Sequence, residues 1–310
     1  MVFSQPSVLF SRTSVCGSLI LMEPRDRHTA LIVLIVTVGE VITAELKYTS
    51  RACDESMARS TALVTGGSRR IGRAISLHLA EKGYSVAVHH NSSSEDAESL
   101  VSLIRSKGGA ACSVRADLSN VNEVAKIISE VSEKLGPVTC LVNNASLFEF
   151  DDIVSFNQHS WDSHMDVNAR APMIMIQKLL EQLSADDQAS IVNILDQKIF
   201  DPNPDYLSYT ASRYALLGLT DALARGLSPR ARVNAIAPGH TLPSPEQTQD
   251  GFERAQAESP LGYGPKPSDI ADAVGYLMEA RAVTGQVLFV DSGERFLARS
   301  RDVLFETEGV

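Results

Sequence analysis

From Thr61 to Val290, seven short runs rich in β-branched residues alternate with stretches whose apolar residues recur at helical spacing. This alternation predicts an α/β fold, a doubly wound parallel sheet of about seven strands with helices on both faces. The runs are Thr61–Thr65, Ser85–His89, Ala111–Arg115, Thr139–Asn143, Ser190–Ile194, Arg232–Ile236 and Gln286–Val290. Between the third and the fourth, Val121, Val124, Ile128, Val131 and Leu135 mark a helix face that packs on the sheet, while Glu123, Lys126 and Glu130 stay in water. Pro229, Pro238 and the Pro202-Asn203-Pro204 cluster mark loops, because proline continues neither a helix nor a central strand. No internal repeat or low-complexity tract interrupts the pattern.

Composition narrows the function classes. The net charge is −10 and aromatic residues make up 6%, so the chain carries neither a basic nucleic-acid footprint nor a polybasic membrane patch. A 44% apolar share with 21% charged residues suits a large buried core in a chain of 310 residues. Cys16, Cys53, Cys112 and Cys140 lie far apart without metal-ligand spacing, which points to buried thiols in a reducing, cytoplasmic setting and to no bound metal.

Residues 1–56 read as an atypical extension and 57–310 as the folded domain. The extension lacks strand-turn-helix order, and its main feature is the apolar run Ala30–Ala44, broken by Glu40. That run is shorter than the roughly 20 residues a membrane helix needs. A signal-like or interfacial segment, an added buried strand and a non-native leader all fit it. Met57 is the expected start of the natural folded unit.

The first strand runs into Gly66-Gly67-Ser68-Arg69-Arg70-Ile71-Gly72, and a helix is predicted over Arg73–Lys82. This is where a dinucleotide's pyrophosphate meets a helix amino terminus. Arg70 stands where such turns usually carry a middle glycine, and its guanidinium offers forked donors to phosphate or to a flat polar ligand. After the second strand the chain reads His89-His90-Asn91-Ser92-Ser93, with no acid to hold a ribose 2′-hydroxyl. With Arg69 nearby, NADP(H) is the expected cofactor rather than NAD(H). The paired histidines also fit an edge-strand surface.

Asn143-Asn144-Ala145-Ser146, the Tyr209-to-Arg213 spacing and Pro238-Gly239 make the chain resemble the short-chain dehydrogenase/reductase family from about Ser60 to Leu297. The resemblance implies a single-domain Rossmann fold. It places Asn144 and Ala145 beside the adenine ribose, Asp117 and Leu118 at the adenine side, Pro238-Gly239 over the nicotinamide, and Asn168 as holder of a proton-relay water. Val290-Asp291-Ser292-Gly293 resembles the family's carboxy-terminal VDGG with one glycine replaced. The turn TGxxxRxG with Arg70, Phe148 shortly after Asn-Ala-Ser, and Asp196 at the usual serine position resemble the pteridine reductase and dihydromonapterin reductase branch. That likeness implies a pterin substrate contacted by Arg70, Ser146, Phe148, Asp196 and Tyr209.

Tyr209 and Arg213 lie one helical turn apart, so both side chains leave the same face. Tyr209, aided by Asp196, is the candidate proton donor for hydride delivery to a C=N bond. The family lysine is replaced by Arg213, which keeps the cation but cannot pass on a proton. Cofactor contacts are thus expected from Gly66, Arg69, Arg70, Ile71, Gly72, His89, Asn91, Ser92, Asp117, Leu118, Asn144, Ala145, Ser146, Tyr209, Arg213, Pro238 and Gly239. The segment Thr241–Gly262 is expected to be a mobile lid that admits a small polar ligand. The expected activity is NADPH-dependent reduction of a dihydropterin. The alternatives are a carbonyl reductase and an NADP-binding protein with little turnover. The resemblance implies a homo-oligomer, a tetramer, while the acidic balance and the short apolar run lead us to expect no nucleic-acid partner and no stable membrane span.

Overall fold

A computed structural model describes residues 18–20, 32–37, 40–45, 60–244 and 246–308. The chain divides into two compact units, residues 1–58 and 59–310. In the first, β1 (Ser18–Ile20), β2 (Ile32–Thr37) and β3 (Glu40–Glu45) pair antiparallel in that order. The described residues of the apolar run Ala30–Ala44 therefore fall in the paired strands β2 and β3, with Ile35 opposite Ile42. Met57, Cys16 and Cys53 lie outside the described residues.

The second unit holds seven parallel strands: β4 (Thr61–Val64), β5 (Ser85–His90), β6 (Ala111–Arg115), β7 (Val138–Asn143), β8 (Ala189–Ile194), β9 (Ala231–Pro238) and β10 (Val287–Val290). Their order across the sheet is β10-β9-β8-β7-β4-β5-β6. The direction of winding reverses between β4 and β7, and in open α/β sheets ligands bind in the crevice at that point. Helices α1 (Arg70–Glu81), α2 (Ser94–Ser106), α3 (Val121–Leu135), α4 (Gln158–Met165), α5 (Ala171–Gln182), α6 (Leu207–Gly226), α7 (Gln249–Ala257), α8 (Pro267–Glu279) and α9 (Val303–Glu308) complete the unit. Among the described residues no helix is long and apolar enough to cross a membrane, and no cluster could hold a metal ion.

Alternation along the strands builds two cores. Leu63, Leu141, Ile191 and Val233 face α3 and α5, while Ala62, Val64, Val142 and Val192 face α1 and α8. A strand covered on both faces reads as a continuous apolar run, which is why β4 and β8 are buried throughout. Each fully buried Leu or Ile contributes about 2 kcal/mol. Helix α3 is delimited by Asn120, whose side chain accepts from the Asn122 N–H, and by Gly136 at φ 87°. Val121 departs from the expected packing face: it is exposed, and Ile127 joins Val124, Ile128 and Val131 in the core. Helix α1 begins at Arg70, three residues earlier than the pattern suggested. The expected loop Thr241–Gly262 contains α7, capped at its start by Thr248, whose side chain accepts from the Gly251 N–H.

The histidines that fitted an edge strand are buried, because β6 and not β5 forms that edge of the sheet. Strand order is set by long-range packing, and nothing local to His89 or His90 encodes it. Cys112 and Cys140 are buried free thiols, and burial pushes both pKa values up, to about 11 for Cys140.

Candidate active site

A cavity of about 800 Å³ opens along the carboxyl ends of the strands. At one end Asn91, Asp117 and Leu118 line it; the turn Gly66–Gly72 and Asn144–Ser146 border the middle; Asp196, Tyr209, Arg213, Pro238 and Gly239 close the other end. Arg70, Phe148 and Asp196 border this same space.

The turn is held from both neighbouring strands. Gly66 sits at φ 58°, and its N–H donates to His89 Nδ1 at 3.1 Å. Asn144 Nδ2 donates to the carbonyls of Thr65 and Gly66 at 2.8 and 3.3 Å. Helix α1 starts with no side-chain cap and no acid in its first turn. Its orphan N–H groups and partial positive charge suit a pyrophosphate, so the residues present fit a dinucleotide. Arg70 takes the left-handed φ of 50° that a glycine would adopt freely, at a cost of about 1 kcal/mol or more. Its guanidinium donates to the Pro243 carbonyl at 3.0 Å, so it spans from the turn to the loop after β9.

His89 lines the cavity, as expected of a cofactor contact, but it is buried and its ring also braces the turn. Its Nδ1 accepts from Gly66 and its Nε2 lies 3.1 Å from the Ala116 carbonyl, so the neutral ring with a proton on Nε2 satisfies both bonds. Burial holds its pKa down at about 4. The folded pKa is below the unfolded one, so this stability is complete above about pH 6.5 and is lost as pH falls toward about 4. Between about pH 7 and about pH 5 the protein should lose about 2 kcal/mol through this group. Urea unfolding of wild type and His89→Gln measures it: the variant's pH-dependent loss should be smaller by that amount, and equal slopes would contradict it.

Tyr209 and Arg213 project from α6, and Asp196 follows β8. The phenolic O–H of Tyr209 donates to Asp196 Oδ2 at 2.7 Å, while Asp196 Oδ1 accepts from the Lys198 N–H at 2.9 Å. The Arg213 guanidinium lies 5.0 Å from the Tyr209 ring centroid, and its Nη1 donates to the Ile194 carbonyl at 3.1 Å. Burial, then the Asp196 charge, raises the Tyr209 pKa, with Arg213 opposing. Phe148 stacks on Tyr206 with centroids 4.2 Å apart and meets Tyr209 edge-on at 4.7 Å. Phe148 is 42% exposed, which leaves it free to cover a ligand.

Three expected residues sit otherwise than anticipated. Ser92 is exposed and does not line the cavity. Asn168 is buried in a π-type turn, where it bonds the Leu147 backbone through both N–H and carbonyl and donates to Ser212 Oγ. All these bonds are internal, so Asn168 braces the Asn-Ala-Ser segment from behind the cavity wall. Arg69 lines the cavity but is ion-paired with Asp96 in the first turn of α2, so an acid does stand near the second strand's end. The side chains missed by sequence reasoning include His240, Lys198, Glu294, Arg295, Arg299 and Asp302. Glu294 directly follows the VDSG motif, which was the available signal; the others reach the site only through the path of the chain.

A family profile described as short chain dehydrogenase matches residues 60–251. The crystal structure of FolM alternative dihydrofolate reductase 1 from Brucella canis, complexed with NADP, is 40% identical, with a TM-score of 0.76, covering 79% of this chain and 97% of that one. A short chain dehydrogenase from Burkholderia cenocepacia in complex with NADP is 31% identical, with a TM-score of 0.71 and coverage of 76% and 98%. A 3-oxoacyl-[acyl-carrier-protein] reductase (FabG) of Staphylococcus aureus is 34% identical over 238 residues, 75% of this chain and 97% of the relative. On the profile, the seven-stranded parallel sheet and these likenesses, the chain belongs to the short-chain dehydrogenase/reductase family of oxidoreductases.

Proposed function

We propose that the protein is an NADPH-dependent reductase of a dihydropterin. The observation that carries this reading is the convergence of Arg70, Phe148, Asp196 and Tyr209 on one cavity. The 40% identity to a structure named as an alternative dihydrofolate reductase supports it. The NADP in related crystal structures and the uncapped α1 terminus support the cofactor. Arg69 reaches a 2′-phosphate by exchanging Asp96 for it.

When bound, NADPH supplies a hydride. The protein supplies the proton and the geometry. Burial and Asp196 keep Tyr209 as a neutral phenol at neutral pH, so its O–H is a donor for the nitrogen that gains charge. Asp196 orients that O–H through its 2.7 Å bond, and Arg213 lowers the cost of transient phenolate. Phe148 offers its exposed ring to a flat heterocycle, and Arg70 offers donors at the mouth. Arg213→Lys should preserve or raise turnover; a loss of NADPH oxidation beyond about tenfold, about 1.4 kcal/mol of barrier, contradicts this role.

The 34% likeness to a 3-oxoacyl reductase favours a second reading, a ketone reductase. Initial rates with dihydrobiopterin, dihydromonapterin, dihydrofolate and simple ketones, each with NADPH and NADH, separate the two. The pterin reading expects NADPH consumption with the dihydropterins; consumption with ketones alone overturns it. We also propose a cytoplasmic location, which the buried free thiols Cys112 and Cys140 fit, and a homo-oligomer, which a groove lined by Met173, Ile176, Leu180 and Leu223 with Glu181 and Arg230 at its side fits; sedimentation reads the oligomeric state.

A further inference from the structure

We propose that Glu294 is a second substrate-facing carboxyl beside Asp196, a specificity-determining residue that accepts hydrogen bonds from the N–H edge of the bound heterocycle. The inference rests on the pterin reading and identifies what recognises that substrate class.

Glu294 follows β10 and lines the cavity that Asp196 and Tyr209 border, although only 3% of it is exposed. Its Oε2 accepts from the His240 N–H at 2.6 Å. A Cβ added to Gly239 would stand 2.7 Å from that same oxygen, so the carboxyl is pressed against the Pro238-Gly239 loop. Its other oxygen has no hydrogen-bond partner among the described residues and is not sealed off, so in the cavity that Glu294 lines it is an acceptor open to a ligand's donor.

The neighbouring charged groups do not supply one. The two terminal nitrogens of Arg299 are taken up by Glu258 and Glu306, at 2.7 and 2.6 Å, and its buried Nε makes no hydrogen bond to Glu294 or to any other described residue. Arg295 is taken up by Asp291 at 2.8 Å. The His240 ring is tied to Gln247 Oε1 at 2.7 Å. The remaining groups that face Glu294 are the acids Asp196 and Asp291. Burial, reinforced by Asp196, pushes the Glu294 pKa up to about 7, against the pull of the His240 N–H and Arg299.

A pterin presents a ring N–H beside an exocyclic amine, and the oxygen of Glu294 that His240 leaves free can accept from that edge. A simple ketone or diketone has no N–H to offer. The accepting form of Glu294 is the ionised one, so affinity for a dihydropterin should rise with pH through about 7.

The test compares wild type, Glu294→Gln and Glu294→Asp with NADPH, on dihydrobiopterin and on 2,3-butanedione, from about pH 6 to about pH 8. A fluorescence titration with NADPH establishes that each variant is assembled. Glu294→Gln should raise the KM for dihydrobiopterin about tenfold, as expected for losing an acceptor to buried donors. It should lower kcat/KM for the pterin at least several times further than for the diketone, and Glu294→Asp should recover part of the loss. Wild-type KM for the pterin should fall as pH rises, and this dependence should vanish in Glu294→Gln. Equal losses on both substrates, or an unmoved pterin KM, overturn the inference while leaving the pterin reading intact. A wild type that reduces the diketone and no dihydropterin overturns both.

Discussion

Replacing Tyr209 by Phe should lower kcat on a dihydropterin by about 10²- to 10⁴-fold, the usual worth of a positioned general acid, or about 3–5 kcal/mol of barrier. The ring remains, so its edge contact with Phe148 and the guanidinium above it persist. What goes is the O–H that donates to Asp196 at 2.7 Å. Burial and the Asp196 charge keep that proton on the phenol, so its removal leaves the site without its donor. NADPH affinity, read by fluorescence titration, should change less than about fivefold, since phosphate contacts lie at the turn and the α1 terminus. Turnover within about fivefold of wild type would mean that protons enter by another route.

Gly72→Ala should damage fold and cofactor site together. A Cβ there would stand 2.1 Å from the Gly66 carbonyl oxygen and 2.7 Å from Asn144 Nδ2. The nearest atom is backbone, which no side-chain rotation can relieve, so α1 must move away from the turn. We expect a loss of about 2–3 kcal/mol in urea unfolding, at the upper end of overpacking. NADPH affinity should fall about 100-fold, near 2.7 kcal/mol, as the helix amino terminus leaves its alignment. Gly218→Ala in α6 is the control, because nothing lies within 4 Å of its added Cβ. It should stabilise by about 0.5–1 kcal/mol. Equal effects from the two substitutions would contradict the close-approach argument.

Much of the fold was legible because its signals are local. Each of the seven strands appears in the sequence as a β-branched run, within one or two residues of its observed ends. Asp196, Tyr209 and Arg213 were legible for a similar reason: one follows a strand and two share a helix face. Position across the sheet was not legible, and His89 shows the consequence. The ring that fitted a surface strand is a buried strut between Gly66 and Ala116, because β6 covers its strand. Asn168 and Arg69 differ for a related reason. Their partners, Leu147 and Asp96, are set by how loops return over the sheet rather than by spacing along the chain. The carboxy-terminal stretch was least legible, since Glu294, Arg299 and Asp302 reach the cavity only once β10 is docked on β9.

The pterin account is tested most directly by the crystal structure of the protein with NADP and a dihydropterin. It predicts the heterocycle lying against Phe148, within hydrogen-bond distance of Tyr209 or Asp196, with the Arg70 guanidinium at its rim. A dihydropterin bound outside this cavity, or none bound at saturating concentration while NADP occupies the turn, would contradict it.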